Sequence, residues 1–200
     1  MSHYFTNDYV KSEEKTVKVI IKNIHLKFIV DNGVFSKKGL DFGTRTLLEN
    51  IQDIKGDVLD FGCGYGPIGI FIKKTSSSNV DMIDINDRAI SLAKKNAKLN
   101  EVDVNIFKSN IYENIDKKYD YIITNPPIRV GKKILYEILF KAKEYLKENG
   151  KLLFVINKNG GAKSVLKDLE KEYEVDVITK NKGFYLLGAK KHWLFKAKPL

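Results

Sequence analysis

The segment Asn125-Pro126-Pro127-Ile128 carries the most specific chemistry in the chain. An aromatic exocyclic amine is a poor nucleophile, because its lone pair is delocalised into the ring. Two acceptors that hold its hydrogens favour a tetrahedral nitrogen, with the lone pair aimed at an electrophilic carbon. The side-chain oxygen of Asn125 and the carbonyl of Pro126 suit that task, and consecutive prolines stiffen the backbone so that both oxygens stay aimed. No base is needed beforehand, since the proton can leave from the cationic product. An Asn-Pro-Pro run by itself is an ordinary turn; its weight here comes from its place at the end of an expected strand.

A second cluster is Asp60-Phe61-Gly62-Cys63-Gly64-Tyr65-Gly66-Pro67, where an apolar strand breaks into three alternating glycines and a helix begins. Glycines so placed let the backbone bend sharply and approach a ligand with no side chain between. Proline suits the first helical position, where no amide hydrogen is needed. A dinucleotide-binding loop needs Gly-x-Gly-x-x-Gly, so that a diphosphate rests on the helix amino end. Here Pro67 stands at the third required position, and Asp60 repels a diphosphate while welcoming an amino-acid ammonium. The pattern points instead to S-adenosylmethionine as a methyl donor, held along Asp60, Gly62, Cys63, Gly64 and Gly66. Asp84 follows the glycine loop by about 20 residues, a common place for an acid on ribose hydroxyls, although helix capping by Asp84 or Asp87 is the plain alternative. Asn110 is placed to accept from an adenine amine, with Ile85 and Ile111 as covers for the ring; both isoleucines fit a core role equally well.

Cys63 is the single thiol. Enzymes that methylate a pyrimidine ring carbon attack with a cysteine from the loop that reads Asn125-Pro126-Pro127 in this chain, so Cys63 is read as a small residue of the glycine turn. His3, His25 and His192 have no metal-ligand spacing, and no metal site is expected. Arg129, Lys132 and Lys133 follow the diproline turn. Cations are disfavoured at a helix amino end, which points to contact with substrate phosphates, against the alternative of an idle solvated cluster. Lys37 and Lys38 extend this basic rim, whereas Lys94, Lys95 and Lys98 read as an ordinary helix face.

Positioning these residues requires a particular order of elements. Val17, Val19 and Ile21, then Leu26, Phe28 and Val30, alternate around Asn23 and predict a β-hairpin over 15–30. Residues 35–45 read as a loop into a helix around Leu47, Leu48 and Ile51. Strands and helices alternate from Asp57 onward, which predicts a parallel sheet covered on both faces: strand 57–61, helix 67–74, strand 79–84, and a helix from Asp87 to Leu99 capped by Asn86 or Asp87. A strand near 103–107 precedes the loop Ser109-Asn110-Ile111, and strand 119–124 ends at the diproline turn. Ile134, Leu135, Ile138, Leu139, Ala142, Tyr145 and Leu146 form one helical stripe stopped by Asn149-Gly150. Lys151–Ile156 reads as a strand and Ser164–Tyr173 as a helix. Val175–Thr179 and Phe184–Gly188 then read as an antiparallel pair around Asn181-Lys182-Gly183.

Two hundred residues with 43% hydrophobic content suit a single α/β domain, with residues 1–45 as hairpin and capping segment and 46–200 as the catalytic core. No stretch approaches the roughly 20 apolar residues of a membrane span, the start lacks a secretory pattern, and one cysteine excludes an internal disulfide. A cytoplasmic protein with no membrane partner is the expectation. Lysine and arginine number 35 against 25 acids, a net charge of +10. That balance favours a polyanionic partner, although abundant lysine and glutamate also accompany growth at high temperature.

With these residues in view, the chain resembles the class I S-adenosylmethionine-dependent methyltransferases, and within them the "small domain" family that includes the ribosomal RNA small-subunit guanine-N2 methyltransferases. The likeness runs through Gly33-Val34-Phe35-Ser36, Leu40-Asp41-Phe42-Gly43-Thr44-Arg45, the glycine loop with Gly66-Pro67-Ile68-Gly69, Asp84-Ile85-Asn86, Asn125-Pro126-Pro127 and Lys182-Gly183-Phe184, and it is strongest for single-domain archaeal members. The resemblance implies a Rossmann-like, seven-stranded, mostly parallel sheet, and cofactor contacts from Asp60, Gly62, Gly64, Asp84 and Asn110, with Asp41, Thr44 and Arg45 capping the site. It implies methyl transfer to a nucleobase amine, guanine N2 of ribosomal RNA first; adenine N6, a protein glutamine amide, or a silent RNA-binding scaffold are the alternatives. Two departures stand out. Family members that methylate nucleobase amines, and the related protein-glutamine enzymes, usually carry an aromatic residue after the two prolines where this chain has Ile128, so stacking falls to another ring such as Phe35 or Phe5. Bacterial relatives carry a second, degenerate domain, so RNA docking here would draw on the hairpin, the basic rim or a second subunit in a homodimer.

Overall fold

The computed structural model describes residues 11–32, 34, 39–126 and 131–191. Strand β1 (Lys15–Ile21) pairs antiparallel with β2 (Ile24–Val30) as a separate two-stranded sheet. The turn between them holds Lys22 and Asn23 at φ 47° and 64°, the left-handed pair that matches the twist of a tight hairpin. A long arm of alternating elements follows: α1 (Phe42–Asn50), β3 (Asp57–Phe61), α2 (Pro67–Thr75), β4 (Asn79–Asp84), α3 (Asp87–Leu99), β5 (Asn105–Lys108), β6 (Tyr119–Thr124), α4 (Lys132–Tyr145), β7 (Leu146–Asn157), α5 (Ala162–Leu169), β8 (Tyr173–Asn181) and β9 (Phe184–Lys191).

Seven of these strands form one sheet in the order β5-β4-β3-β6-β7-β9-β8, parallel except where β9 joins β7 and β8. Neighbouring residues of each central strand point to opposite faces. Val58, Met82, Ile123, Val155 and Leu186 join the core beneath α1, α2, α3 and the hairpin. Leu59, Ile83, Ile122, Phe154 and Leu187 join the core beneath α4 and α5. Both faces are covered, which is why the parallel strands read as continuous apolar runs.

The hairpin is tied on by a device that hydrophobic periodicity does not reveal. Asn96 and Asn100 share one face of α3 at the i, i+4 spacing and close the free edge of β2. Asn96 accepts from Ile29 N (2.6 Å) and donates to the carbonyls of Ile29 (2.9 Å) and Tyr65 (2.8 Å). Asn100 accepts from Lys27 N (3.1 Å) and donates to Lys27 O (2.7 Å). Asn96 is fully buried, so Asn96→Ala strands three backbone groups and is expected to cost about 3 kcal/mol of stability in urea unfolding.

Several boundaries depart from the sequence expectation. Helix α4 ends at Tyr145 and Leu146 opens β7, pairing with Tyr119 before the register shifts to Tyr121–Lys151. Asn149-Gly150 lies inside that irregular strand: a Cβ on Gly150 would sit 2.8 Å from Tyr119 O, so this glycine serves close approach of two strands rather than a helix stop. Helix α5 spans Ala162–Leu169, and Tyr173 opens β8 with its hydroxyl donating to Leu139 O at 2.9 Å. Val165, Leu169 and Tyr173 keep a four-residue spacing, so apolar period alone carries the helix one turn too far. The expected strand near 103–107 is found at Asn105–Lys108, and the final pair extends to Tyr173–Asn181 and Phe184–Lys191.

Candidate active site

The order of strands reverses between β3 and β6, which lie side by side with Leu59 opposite Ile122 and Asp60 opposite Ile123. In an open sheet of this kind the crevice at the carboxyl ends of such strands is where ligands bind. Asp60 and the glycine bend leave β3 at that edge, Asp84 ends β4, and Asn125 follows β6. The glycine bend and Asn125 therefore leave neighbouring strand ends.

Asp60 is fully buried. One carboxylate oxygen accepts from Gly69 N at 2.8 Å, inside the first turns of α2, while the other has no hydrogen-bond partner among the described residues. Burial, with the charge of Asp84 adding to it, pushes the Asp60 carboxyl up to about 7. Gly62 and Gly64 take φ of 70° and 56°, and a Cβ at either would meet open space. These positions are glycine for backbone conformation and for approach by something outside the chain, not for internal packing. Gly66, at φ 101°, caps α2, and Pro67 occupies its first position.

Asp84 is held by backbone amides: its two oxygens accept from Gly64 N and Asn86 N, each at 2.9 Å. Burial raises its carboxyl above the ordinary range against the pull of those amides. Asn86, not Asp84 or Asp87, is the N-cap of α3, accepting from Arg88 N and Ala89 N. Cys63 is buried, and desolvation followed by the charges of Asp84 and Asp60 lifts its thiol well above the usual range. An unreactive small residue of the turn fits those surroundings.

Ile85 and Ile111 are half-buried. Ile111 takes φ 52°, a left-handed conformation that is costly for a β-branched residue and that clusters at functional sites. The Ser109 hydroxyl donates to its carbonyl at 3.1 Å. Asn110 is exposed and donates its amide to Glu113 at 2.8 Å, which leaves its side-chain oxygen as the outward-facing acceptor.

Asn125 has two anchors. Its amide nitrogen donates to Asp41 Oδ1 at 3.1 Å and to Thr44 Oγ1 at 3.0 Å. A carboxylate accepts only, so the group facing Asp41 is the NH2 and the Asn125 oxygen points away from both partners. Asp41 is in turn the N-cap of α1, accepting from Thr44 N at 3.1 Å. Asp41 and Thr44 thus touch Asn125, a link across 84 residues that spacing could not show, and the Asp41 charge also acts on Tyr65 of the glycine bend. Arg45 is engaged elsewhere, with Ile20 O and Glu49. Pro126 is buried beside Asn125; Pro127, Ile128, Arg129, Lys37, Lys38, Phe35 and Phe5 lie outside the described residues. Lys132 and Lys133 are exposed at the start of α4, with the Lys132 ammonium 4.9 Å from the Tyr136 ring centre.

Buried side-chain polar atoms without a partner, among the described residues, are Asp60 Oδ1, the Tyr65 hydroxyl and Thr124 Oγ1. They belong to the two facing strand ends and the glycine bend. Orphaned polar atoms inside a protein call for a ligand or solvent to satisfy them. An acid with one oxygen unpaired, a bend open to close approach, and a second acid pinned at the next strand end fit a cationic amino-acid nucleoside. The described residues contain no grouping of His, Cys, Asp or Glu able to hold a metal ion, and no helix among them is long and apolar enough to cross a membrane.

Comparison with known proteins agrees with this geometry. The profile of the methyltransferase small domain family matches residues 25–188. An uncharacterised protein, YbxB, of Bacillus subtilis is 41% identical over 197 residues, covering 94% of this chain and 98% of that one. A bacterial relative of matching extent therefore exists, contrary to the expectation that bacterial members carry a second domain. Ribosomal RNA small subunit methyltransferase C of Psychromonas ingrahamii is 38% identical over 72% of this chain, which spans 43% of that protein's length. Among solved structures, the T. thermophilus 16S rRNA N2 G1207 methyltransferase RsmC, determined with AdoMet and guanosine, superposes with a TM-score of 0.81 at 23% identity, over 91% of this chain and 52% of that one. The chain thus belongs to the methyltransferase small domain family and is a class I, S-adenosylmethionine-dependent methyltransferase.

Proposed function

We propose that the protein methylates an exocyclic nucleobase amine, guanine N2 of ribosomal RNA, as a cytoplasmic enzyme whose residues 1–200 act as one catalytic unit. The observation that carries this reading is the anchored Asn125: its NH2 is taken by Asp41 and Thr44, so its oxygen is left to accept from an amine. Support for RNA comes from the net charge of +10, the exposed Lys132 and Lys133 beside the turn, and relatives named as ribosomal RNA methyltransferases.

In this reading Asp60, Gly62, Gly64, Asp84, Ile85, Asn110 and Ile111 hold S-adenosylmethionine, which when bound supplies an electrophilic methyl group. The Asn125 oxygen and the Pro126 carbonyl accept the two amine hydrogens and turn the nitrogen lone pair outward. Proline at 126 and 127 keeps both oxygens from relaxing toward other donors. Because these oxygens are oriented before the substrate arrives, little reorganisation is needed during transfer. A second copy of the chain remains a source of further RNA-contacting surface, to be read by sedimentation.

Incubation with labelled S-adenosylmethionine and total RNA or total protein, followed by identification of the modified nucleoside or residue, tests the reading. Label in N2-methylguanosine is the expected result; label in N6-methyladenosine or methylglutamine overturns the choice of acceptor. S-adenosylmethionine at a hundredfold excess over its dissociation constant should raise the unfolding free energy by about 2.7 kcal/mol. No thermal shift would favour a silent scaffold.

A further inference from the structure

A base lifted out of its stack must be held by a flat surface, commonly an aromatic ring with a cation nearby. In this chain the residue after the two prolines is Ile128, which has no ring. The structure offers another. Because β9 runs antiparallel to β7, with Asn157 opposite Phe184, the first residue of β9 sits at the carboxyl edge of the parallel strands, on the side of the active site. Phe184 packs against Phe42, ring centres 5.6 Å apart and tilted by 48°. The Lys182 ammonium lies 5.4 Å from the centre of the Phe42 ring.

This group borders the catalytic turn. From the position of a Cβ on Gly43, Asp41 Oδ1 and Phe184 Cε1 are each 3.1 Å away, and Asp41 Oδ1 is the atom that takes the Asn125 amide. A Cβ at 43 would press on both the ring and the carboxylate, and glycine gives them room to come so near. Both rings are half-buried, and Phe42 belongs to neither core cluster. Lys182 is exposed, at φ 43° in the two-residue turn Lys182-Gly183, whose Gly183 carbonyl accepts from Lys158 N at 2.7 Å. A lysine in the left-handed region is unfavourable, and asparagine or glycine is the usual occupant of this turn position. Its ammonium is the feature those residues lack.

We propose that Phe42, Phe184 and Lys182 form the receiving surface for the unpaired acceptor nucleotide, the two rings contacting its base and the ammonium its phosphate. The assignment rests on RNA being the acceptor. It makes Phe184 and Phe42 specificity residues of the site, taking the place of a ring at position 128.

The test is binding of a short fluorescein-labelled single-stranded RNA of mixed sequence, followed by anisotropy with S-adenosylhomocysteine present. Phe184→Leu and Phe42→Leu keep apolar volume but remove the flat ring, and each should weaken RNA binding about tenfold. Phe184→Tyr should retain wild-type binding. Lys182→Gln, at an exposed position, should reduce the slope of log affinity against log salt by about 1. S-adenosylhomocysteine affinity should not change in any of them, and all should unfold cooperatively, the leucine variants at a slightly lower midpoint because both rings are half-buried and Phe184 packs against the first core cluster. Leucine variants that are folded and bind RNA like wild type, or an unchanged salt slope in Lys182→Gln, overturn the assignment and leave the RNA methyltransferase reading intact. A wild-type protein that binds no RNA overturns both, before any variant is made.

Discussion

Asn125→Ala should lower the rate of methyl transfer about a thousandfold while S-adenosylmethionine affinity stays within a few-fold. The expectation follows from what the side chain touches. Its amide is spent on Asp41 and Thr44, so the oxygen it presents is oriented by the protein before any substrate binds. Removing it takes away one of the two acceptors proposed for the amine and leaves the glycine bend and Asp84 untouched. Asn125→Asp offers a sharper comparison, since it keeps an acceptor oxygen. A carboxylate there must face Asp41 Oδ1, now 3.1 Å from the amide nitrogen, and like charges at that distance repel. The aspartate variant should therefore be as inactive as the alanine variant. Single-turnover transfer from labelled donor, with donor affinity by calorimetry, reads both. Turnover at the wild-type level in either variant would remove the proposed role of Asn125.

The second large effect concerns Asp60 and pH. Its carboxyl, ordinarily near 3.8, is pushed up to about 7 in the folded protein, chiefly by burial. The folded chain without ligand therefore binds a proton between about pH 4 and pH 7 that the unfolded chain does not. Stability from this group is full in acid and falls as pH rises through about 7, by at most about 1.4 kcal/mol per unit. Ligand binding runs the other way. At the proposed cofactor site the donor's ammonium would favour ionised Asp60, so affinity for S-adenosylmethionine should rise with pH up to about 7. Asp60→Asn should flatten both profiles, making the free protein more stable at pH 8 and the donor weakly bound there. Urea unfolding and calorimetry across about pH 5.5 to 8.5 measure the two slopes. An Asp60→Asn variant with undiminished donor affinity at pH 8 would remove the acid from the cofactor site.

Local pattern determined most of the architecture and the location of the chemistry. Period-two runs announced β1 and β2, the alternation from Asp57 announced the parallel sheet, and glycine and proline marked the bend after β3 and the turn after β6. These features are legible because each depends on neighbours in the chain: a pleat, a helical turn, or a φ that only glycine adopts at little cost. Where two local readings were equally good, as for Leu146 and Tyr173, long-range pairing with Tyr119 and Lys191 decided. The tertiary structure alone revealed which side chains meet. Asn96 and Asn100 close the edge of β2 from 67 and 73 residues away, Asp41 and Thr44 turn Asn125 around, and Phe42 meets Phe184. Such contacts have no periodicity, because a hydrogen bond or ring contact between distant residues is set by where whole elements dock, and a single chain records nothing of that docking in its spacing.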